Sequence, residues 1–185
     1  MRAIVGLSCL AVAAMTASPY SARAAAPTLC KADELVVFSC PTGAHTASVC
    51  ASKDISKSAG AMQYRYGKKD SVDLAYPDSG AKPADVFTSG TMMFSGGGGA
   101  WLRFSKGPFV YTIFSAIGKW GPGETVADVG GVAIQKDGKE FANFPCRAGG
   151  ADGKDELGPE FFEKIGLKTA PTPDDFEIPE AFFPK

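Results

Sequence analysis

Histidine is nearly absent from this chain: His45 is the single one among 185 residues. Zinc and copper sites draw heavily on imidazole and free thiolate groups. A Ser-His-Asp triad would have to use the same histidine, and no Gly-x-Ser-x-Gly motif accompanies it. The composition therefore predicts no metal centre, no cofactor and no catalytic residue, and His45 is expected to be an exposed residue of a turn.

An excess of charge is also absent. Lys and Arg together number 19 against 20 Asp and Glu, which gives a formal net charge of −1. A chain without a basic surplus is a poor ligand for nucleic acid or for an anionic membrane surface. The run of four glycines at residues 96–99 is followed by neither Lys-Ser nor Lys-Thr, so nucleotide binding is not expected either.

No apolar run is long enough to cross a bilayer as a helix, and the longest one lies at the amino terminus. Residues 3–15 carry no acidic side chain, follow Arg2 and precede Ala-Arg-Ala at positions 22–24. This pattern is typical of a secretory signal peptide with an Ala-x-Ala cleavage site. We therefore predict a signal peptide over residues 1–24 and an exported mature chain, either periplasmic or secreted.

The middle of the chain, residues 25–150, has the pattern of antiparallel strands. Short apolar or alternating runs are separated by turn residues, and no alternation of strands with helices is visible. Asp137-Gly138, between two such runs, matches a tight type I′ hairpin turn. We predict an all-β antiparallel meander of about eight strands that closes into a barrel or packs as a sandwich, because open edges must be hidden.

The last part of the chain, residues 151–185, is different. Pro159 stands at the favoured first position of a helix, and Gly166 is a suitable end for it. The remainder is rich in proline and acidic residues, which excludes a core strand. We expect a short carboxy-terminal helix and a tail that packs on the β domain or extends from it.

Four cysteines remain after removal of the signal peptide, an even number that indicates two disulfides in an oxidising compartment. Cys40 and Cys50 flank the first predicted hairpin, so we favour a bond between them and a second bond between Cys30 and Cys146. Pairing Cys30 with Cys50 and Cys40 with Cys146 is the main alternative.

The glycine run stands out as a candidate binding loop. Ser95 precedes four glycines, and a hairpin turn at Ser105-Lys106-Gly107-Pro108 follows a short alternating strand. Consecutive glycines lose much backbone freedom when they become ordered, so we expect a flexible loop there. Small residues would permit close approach to a partner, and Ser95 and Lys106 would offer donors that suit an acidic target.

These residues resemble the two short motifs of the bacterial periplasmic lysozyme inhibitors. Ser95-Gly96 and the downstream Trp101 are similar to the first motif, and residues 104–107 are similar to the second, with Ser105 where that family has threonine. The resemblance implies a small exported β protein that blocks lysozyme by inserting a loop into its cleft. Ser95 would hydrogen-bond the catalytic carboxylates, and Lys106 would pair with one of them.

The expected function is therefore non-catalytic protein binding, with a lysozyme as the target. The partner-binding residues would be Ser95, Gly96, Trp101, Lys106 and Gly107. Two other readings stay open: a β-barrel carrier whose aromatic side chains line a cavity for a small apolar ligand, and an envelope assembly factor that engages its partner through the tail. The oligomeric state is left open.

Overall fold

The computed structural model describes residues 27–78, 80–147, 156–167 and 176–184. The predicted signal peptide and parts of the predicted tail lie outside the described residues.

The chain forms two antiparallel sheets, each with its strands in sequence order. The first sheet contains β1 (Glu34–Pro41), β2 (Thr46–Ser52), β3 (Met62–Lys68) and β4 (Ser71–Tyr76). The second contains β5 (Thr88–Phe94), β6 (Gly97–Lys106), β7 (Phe109–Gly118), β8 (Ala127–Lys136) and β9 (Lys139–Pro145). The predicted antiparallel β class is thus confirmed, with two meanders in place of one and no closed barrel among the described residues.

Among the described residues, two short α-helices and two single-turn 3-10 helices (Pro122–Glu124 and Glu180–Phe182) accompany the sheets. Helix α1 (Pro83–Val86) connects the first sheet to the second. Helix α2 (Pro159–Ile165) is the helix expected from the sequence, and Gly166 ends it in the left-handed conformation, with φ of 71°. None of the helices in the described ranges has the length and apolar character needed to cross a bilayer.

Aromatic side chains fill the space between the two sheets. The Phe104 ring stacks between Tyr76, at 4.4 Å, and Tyr111, at 4.7 Å between ring centroids. Aliphatic side chains from both sheets and from α2 complete this core, among them Val49, Leu102, Ile113, Val132 and Ile165. The sheets therefore bury their facing surfaces against each other, as the sheets of a sandwich do.

The opposite face of the second sheet carries a second core, which the end of the chain covers. The Phe182 ring meets Phe114 edge-on at 4.8 Å, and Ile178 is buried beside it. Residues 176–184 thus pack on this face of the second sheet.

The outer face of the first sheet is closed by the segment that precedes β1. Arg65 is 9% exposed and forms two bonds to Glu34, Nη1 to Oε2 at 2.6 Å and Nη2 to Oε1 at 2.7 Å. Arg65 Nη1 also donates to the carbonyl of Leu29 at 3.0 Å. Hydrogen bonds from Arg65 hold the pKa of the Glu34 carboxyl below its ordinary value, despite the opposing effect of burial.

The disulfides join Cys30 to Cys50 and Cys40 to Cys146, so the favoured pairing was wrong and the alternative is correct. The register explains the difference, because Cys40 lies opposite Ala47 whereas Cys50 lies opposite Val36. Cys50 lies three residues along β2 from Ala47, which is opposite Cys40, and three residues of strand span about 10 Å. This exceeds the roughly 7 Å between Cα atoms that a disulfide can span.

The two disulfides are expected to differ in their contributions to stability. The bonded cysteines are 20 residues apart in Cys30–Cys50 and 106 residues apart in Cys40–Cys146. Chain-entropy arguments predict that closing the longer loop stabilises the fold by about 1–2 kcal/mol more. Urea unfolding of a Cys40→Ala/Cys146→Ala variant should therefore show a greater loss than that of Cys30→Ala/Cys50→Ala. Equal losses, or the reverse order, would contradict this assignment.

The Glu34 ion pair predicts a pH dependence. Because the folded-state pKa of Glu34 is lowered, its stabilising contribution is present at neutral pH and is lost as the pH falls through the folded-state pKa. Glu34→Gln should lower the free energy of unfolding by about 1–3 kcal/mol at pH 7, and the difference from wild type should shrink towards pH 3. Chemical denaturation at both pH values tests this, and a difference independent of pH would argue against it.

Candidate functional site

Three of the four glycines, Gly97 to Gly99, are part of β6, so the expectation of a flexible loop there is wrong. Gly97 lies opposite Phe94 and Gly99 opposite Met92 on β5, while Gly99 also pairs with Ala116 on β7. Only Ser95 and Gly96 form the turn between β5 and β6, where Gly96 has φ of 81°. Pairing with β5 holds all three strand glycines in place, and Gly99 is also held by β7.

Close approach of the neighbouring strand explains why glycine stands at these positions. A Cβ atom on Gly97 would lie 2.2 Å from the carbonyl oxygen of Ile117, and one on Gly99 would lie 2.6 Å from that of Ser115. Real Cβ atoms do not come so near to backbone oxygen. The small residues thus admit the chain's own backbone, which is one of the uses of glycine in a strand.

Trp101 is part of the core. Its side chain is 1% exposed, and a Cβ atom on Gly90 of β5 would lie 2.3 Å from its Cε2 atom. The Arg103 guanidinium carbon lies 4.4 Å from the centroid of the Trp101 ring. Odd-numbered side chains of β6 point to the face that the tail covers, so Trp101 is not presented to a partner.

The two predicted motifs lie at opposite ends of β6. Ser95 and Gly96 precede Gly97, the first residue of the strand, whereas Lys106 is its last residue and Gly107 lies in the following turn. A ten-residue strand separates its ends by about 30 Å. The structure therefore does not bring Ser95 and Lys106 together into one site.

Lys106 instead belongs to a row of side chains across four strands. Lys106 lies opposite Phe109, Phe109 opposite Lys136, and Lys136 opposite Lys139. Residues directly opposite each other share a face of the sheet and lie about 5 Å apart. We call Lys106, Phe109, Lys136 and Lys139 the lysine row; the Lys136 Nζ atom lies 5.5 Å from the centroid of the Phe109 ring.

Lys106 has an acidic neighbour within the chain. Its Nζ atom lies 3.3 Å from Asp78 Oδ1, and the two side chains are 40% and 82% exposed. The same Nζ atom lies 5.8 Å from the centroid of the Tyr76 ring. Exposed ion pairs contribute between about 0 and 1 kcal/mol, so Lys106 can exchange Asp78 for another carboxylate at little cost.

Sequence reasoning missed Lys136 and Lys139, although they flank the predicted turn at Asp137-Gly138. The sequence does contain a signal, since two lysine-bearing hairpin turns occur at residues 105–108 and 136–139. That these turns lie at the same end of the sheet follows only from the pairing of β7 with both neighbours.

His45 is half-buried and packs against the first sheet. Its ring stacks on Tyr66 with centroids 5.2 Å apart, and its Nε2 atom lies 3.3 Å from Asp73 Oδ2. The described residues also bring potential metal ligands of Cys30, Glu34 and Cys50 within 4.8 Å of one another. Both sulfur atoms of that group belong to the disulfide, so they cannot act as thiolate ligands.

A scan against protein-family models, and searches of curated proteins and of solved structures, found no match to this chain.

Replacement of Gly99 distinguishes a packed strand from a flexible loop. In a packed strand, Gly99→Ala should lower the free energy of unfolding by about 1–3 kcal/mol, because the added methyl group meets Ala116 and the Ser115 carbonyl. In a flexible loop, the same change would raise stability by about 0.4–1 kcal/mol. Gly80→Ala is the control, since a Cβ atom there has nothing within 4 Å, and urea unfolding gives the sign.

Proposed function

We propose that this chain is an exported, non-catalytic protein-binding module that presents the lysine row to an acidic groove of its partner. A lysozyme is the target proposed first. The observation that carries the proposal is the strand register, which aligns Lys106, Lys136 and Lys139 at one end of a sheet. Two disulfides are compatible with a periplasmic or extracellular location.

The chemistry of a lysozyme cleft suits such a surface. Glycosidases of this kind use a pair of carboxyl groups that flank the scissile bond. Ammonium groups on the ends of paired strands would form charge-assisted hydrogen bonds with those carboxylates in a partly desolvated cleft. Because the strands hold the lysine backbones in place, little backbone entropy is lost on binding.

The proposed mechanism uses one of the two motifs. Lys106 and Gly107 would contact the partner. The turn between β6 and β7 is unobstructed at Gly107, because a Cβ atom there would have nothing within 4 Å. Ser95 and Gly96 lie about 30 Å away along β6, too far to enter the same groove. Trp101 acts within the core and supports β6.

The other two readings receive less support. A carrier of a small apolar ligand needs aromatic side chains that line a cavity, whereas Tyr76, Phe104 and Tyr111 stack on one another. An assembly factor would engage its partner through the tail, whereas Ile178 and Phe182 of the tail are buried against this chain's own sheet.

Charge changes at Lys106 test the proposed function. Lys106→Glu should weaken inhibition of peptidoglycan lysis at least about tenfold, because it places like charges together in the cleft. Asp78→Asn should strengthen inhibition about two- to fivefold, because it removes the internal competitor for Lys106. Turbidity assays with a panel of purified lysozymes measure both effects.

Lys69→Glu is the matched control, since this substitution makes the same charge change in the exposed turn between β3 and β4. It should leave inhibition unchanged. Failure of the wild-type protein to inhibit any lysozyme, or an equal loss in Lys69→Glu, would count against the proposal.

A further inference from the structure

A β-bulge interrupts β9 next to the lysine row. Ala142 lies opposite Ile134 and Glu140 opposite Gln135, so the intervening Phe141 has no partner of its own on β8. Such bulges re-aim a side chain and are frequent at sheet edges, where β9 lies, and next to active sites. The feature is specific to this end of the strand, since Ala142, Asn143 and Phe144 continue in regular register.

The bulge brings Phe141 to the aromatic member of the lysine row. The Phe141 ring meets Phe109 edge-on, with centroids 5.2 Å apart and planes at 69°. In a regular strand Phe141 would point away from the face that Ala142 shares with Phe109. Phe141 is nevertheless 59% exposed, so a large apolar surface remains in water beside three lysines.

Charge alone gives this end of the sheet only a modest attraction for an acidic partner. Asp137 lies in the turn between Lys136 and Lys139, and Asp78 pairs with Lys106. Glu140 follows Lys139 and lies opposite Gln135, on the other face of the sheet. Charged rim contacts of this kind mainly set the rate of association, whereas buried aromatic anchors supply most of the affinity.

We propose that Phe141 is the anchor of the binding surface and inserts into an apolar pocket beside the acidic groups of the partner. This inference rests on the proposed function. It also specifies the geometry of the partner. Lys106 and Phe141 are on strands three steps apart, so the pocket should lie about 14 Å from the carboxylate that meets Lys106.

The test measures binding kinetics of the mature protein on immobilised purified lysozymes. Phe141→Ala should weaken binding at least tenfold through faster dissociation and leave the salt dependence of association unchanged, whereas Phe141→Trp should retain binding within about threefold. Met93→Ala is the matched control: Met93 is 87% exposed and pairs with Gly98 near the other end of β6, so the variant should bind like wild type.

The outcomes separate the two proposals. If wild type binds and Lys106→Glu does not, but Phe141→Ala binds within twofold of wild type, the anchor is wrong and the proposed function stands. Equal losses in Met93→Ala and Phe141→Ala would also overturn the anchor. If wild type binds no lysozyme in the panel, the proposed function fails and this inference fails with it.

Discussion

The close pairing of β6 with its two neighbours is the constraint on which the rest of the structure depends. Gly97 and Gly99 admit the carbonyl oxygens of β7 at distances that any side chain would block. This pairing makes a single strand of the whole segment from Gly97 to Lys106. It puts Trp101 in the core, and it aligns Lys106 with the hairpin formed by β8 and β9.

Features of the fold that depend on neighbouring residues could be predicted from the sequence. Alternation of apolar and polar residues indicated the strands, Asp137-Gly138 indicated a tight turn, and Pro159 with Gly166 bounded the helix. The disulfide pairing could not be predicted in this way, because it depends on which face each cysteine occupies and on the register of β1 with β2. The prediction of a loop at the glycine run was wrong for a related reason, since the packing of these glycines against β7 is a long-range contact.

In the candidate site too, some residues could be identified from their local sequence and others only from long-range strand pairing. Lys106 was identified from its turn, a local feature. Lys136 and Lys139 become its neighbours only through three successive strand pairings, and Phe141 joins them only because β9 contains an extra residue. The proposed binding surface thus depends on the register of the sheet, and no short motif in the chain encodes it.

Hydrogen exchange of the backbone amides of Gly97, Gly98 and Gly99, resolved by NMR on the purified protein, tests the continuity of β6 most directly. The account predicts that these amides are protected from exchange as in a paired strand, because all three glycines pair with β5 and Gly99 also pairs with β7. Exchange of all three glycine amides at the rate of an unstructured chain would contradict it, since residues 97–99 would then form a free loop and not part of β6.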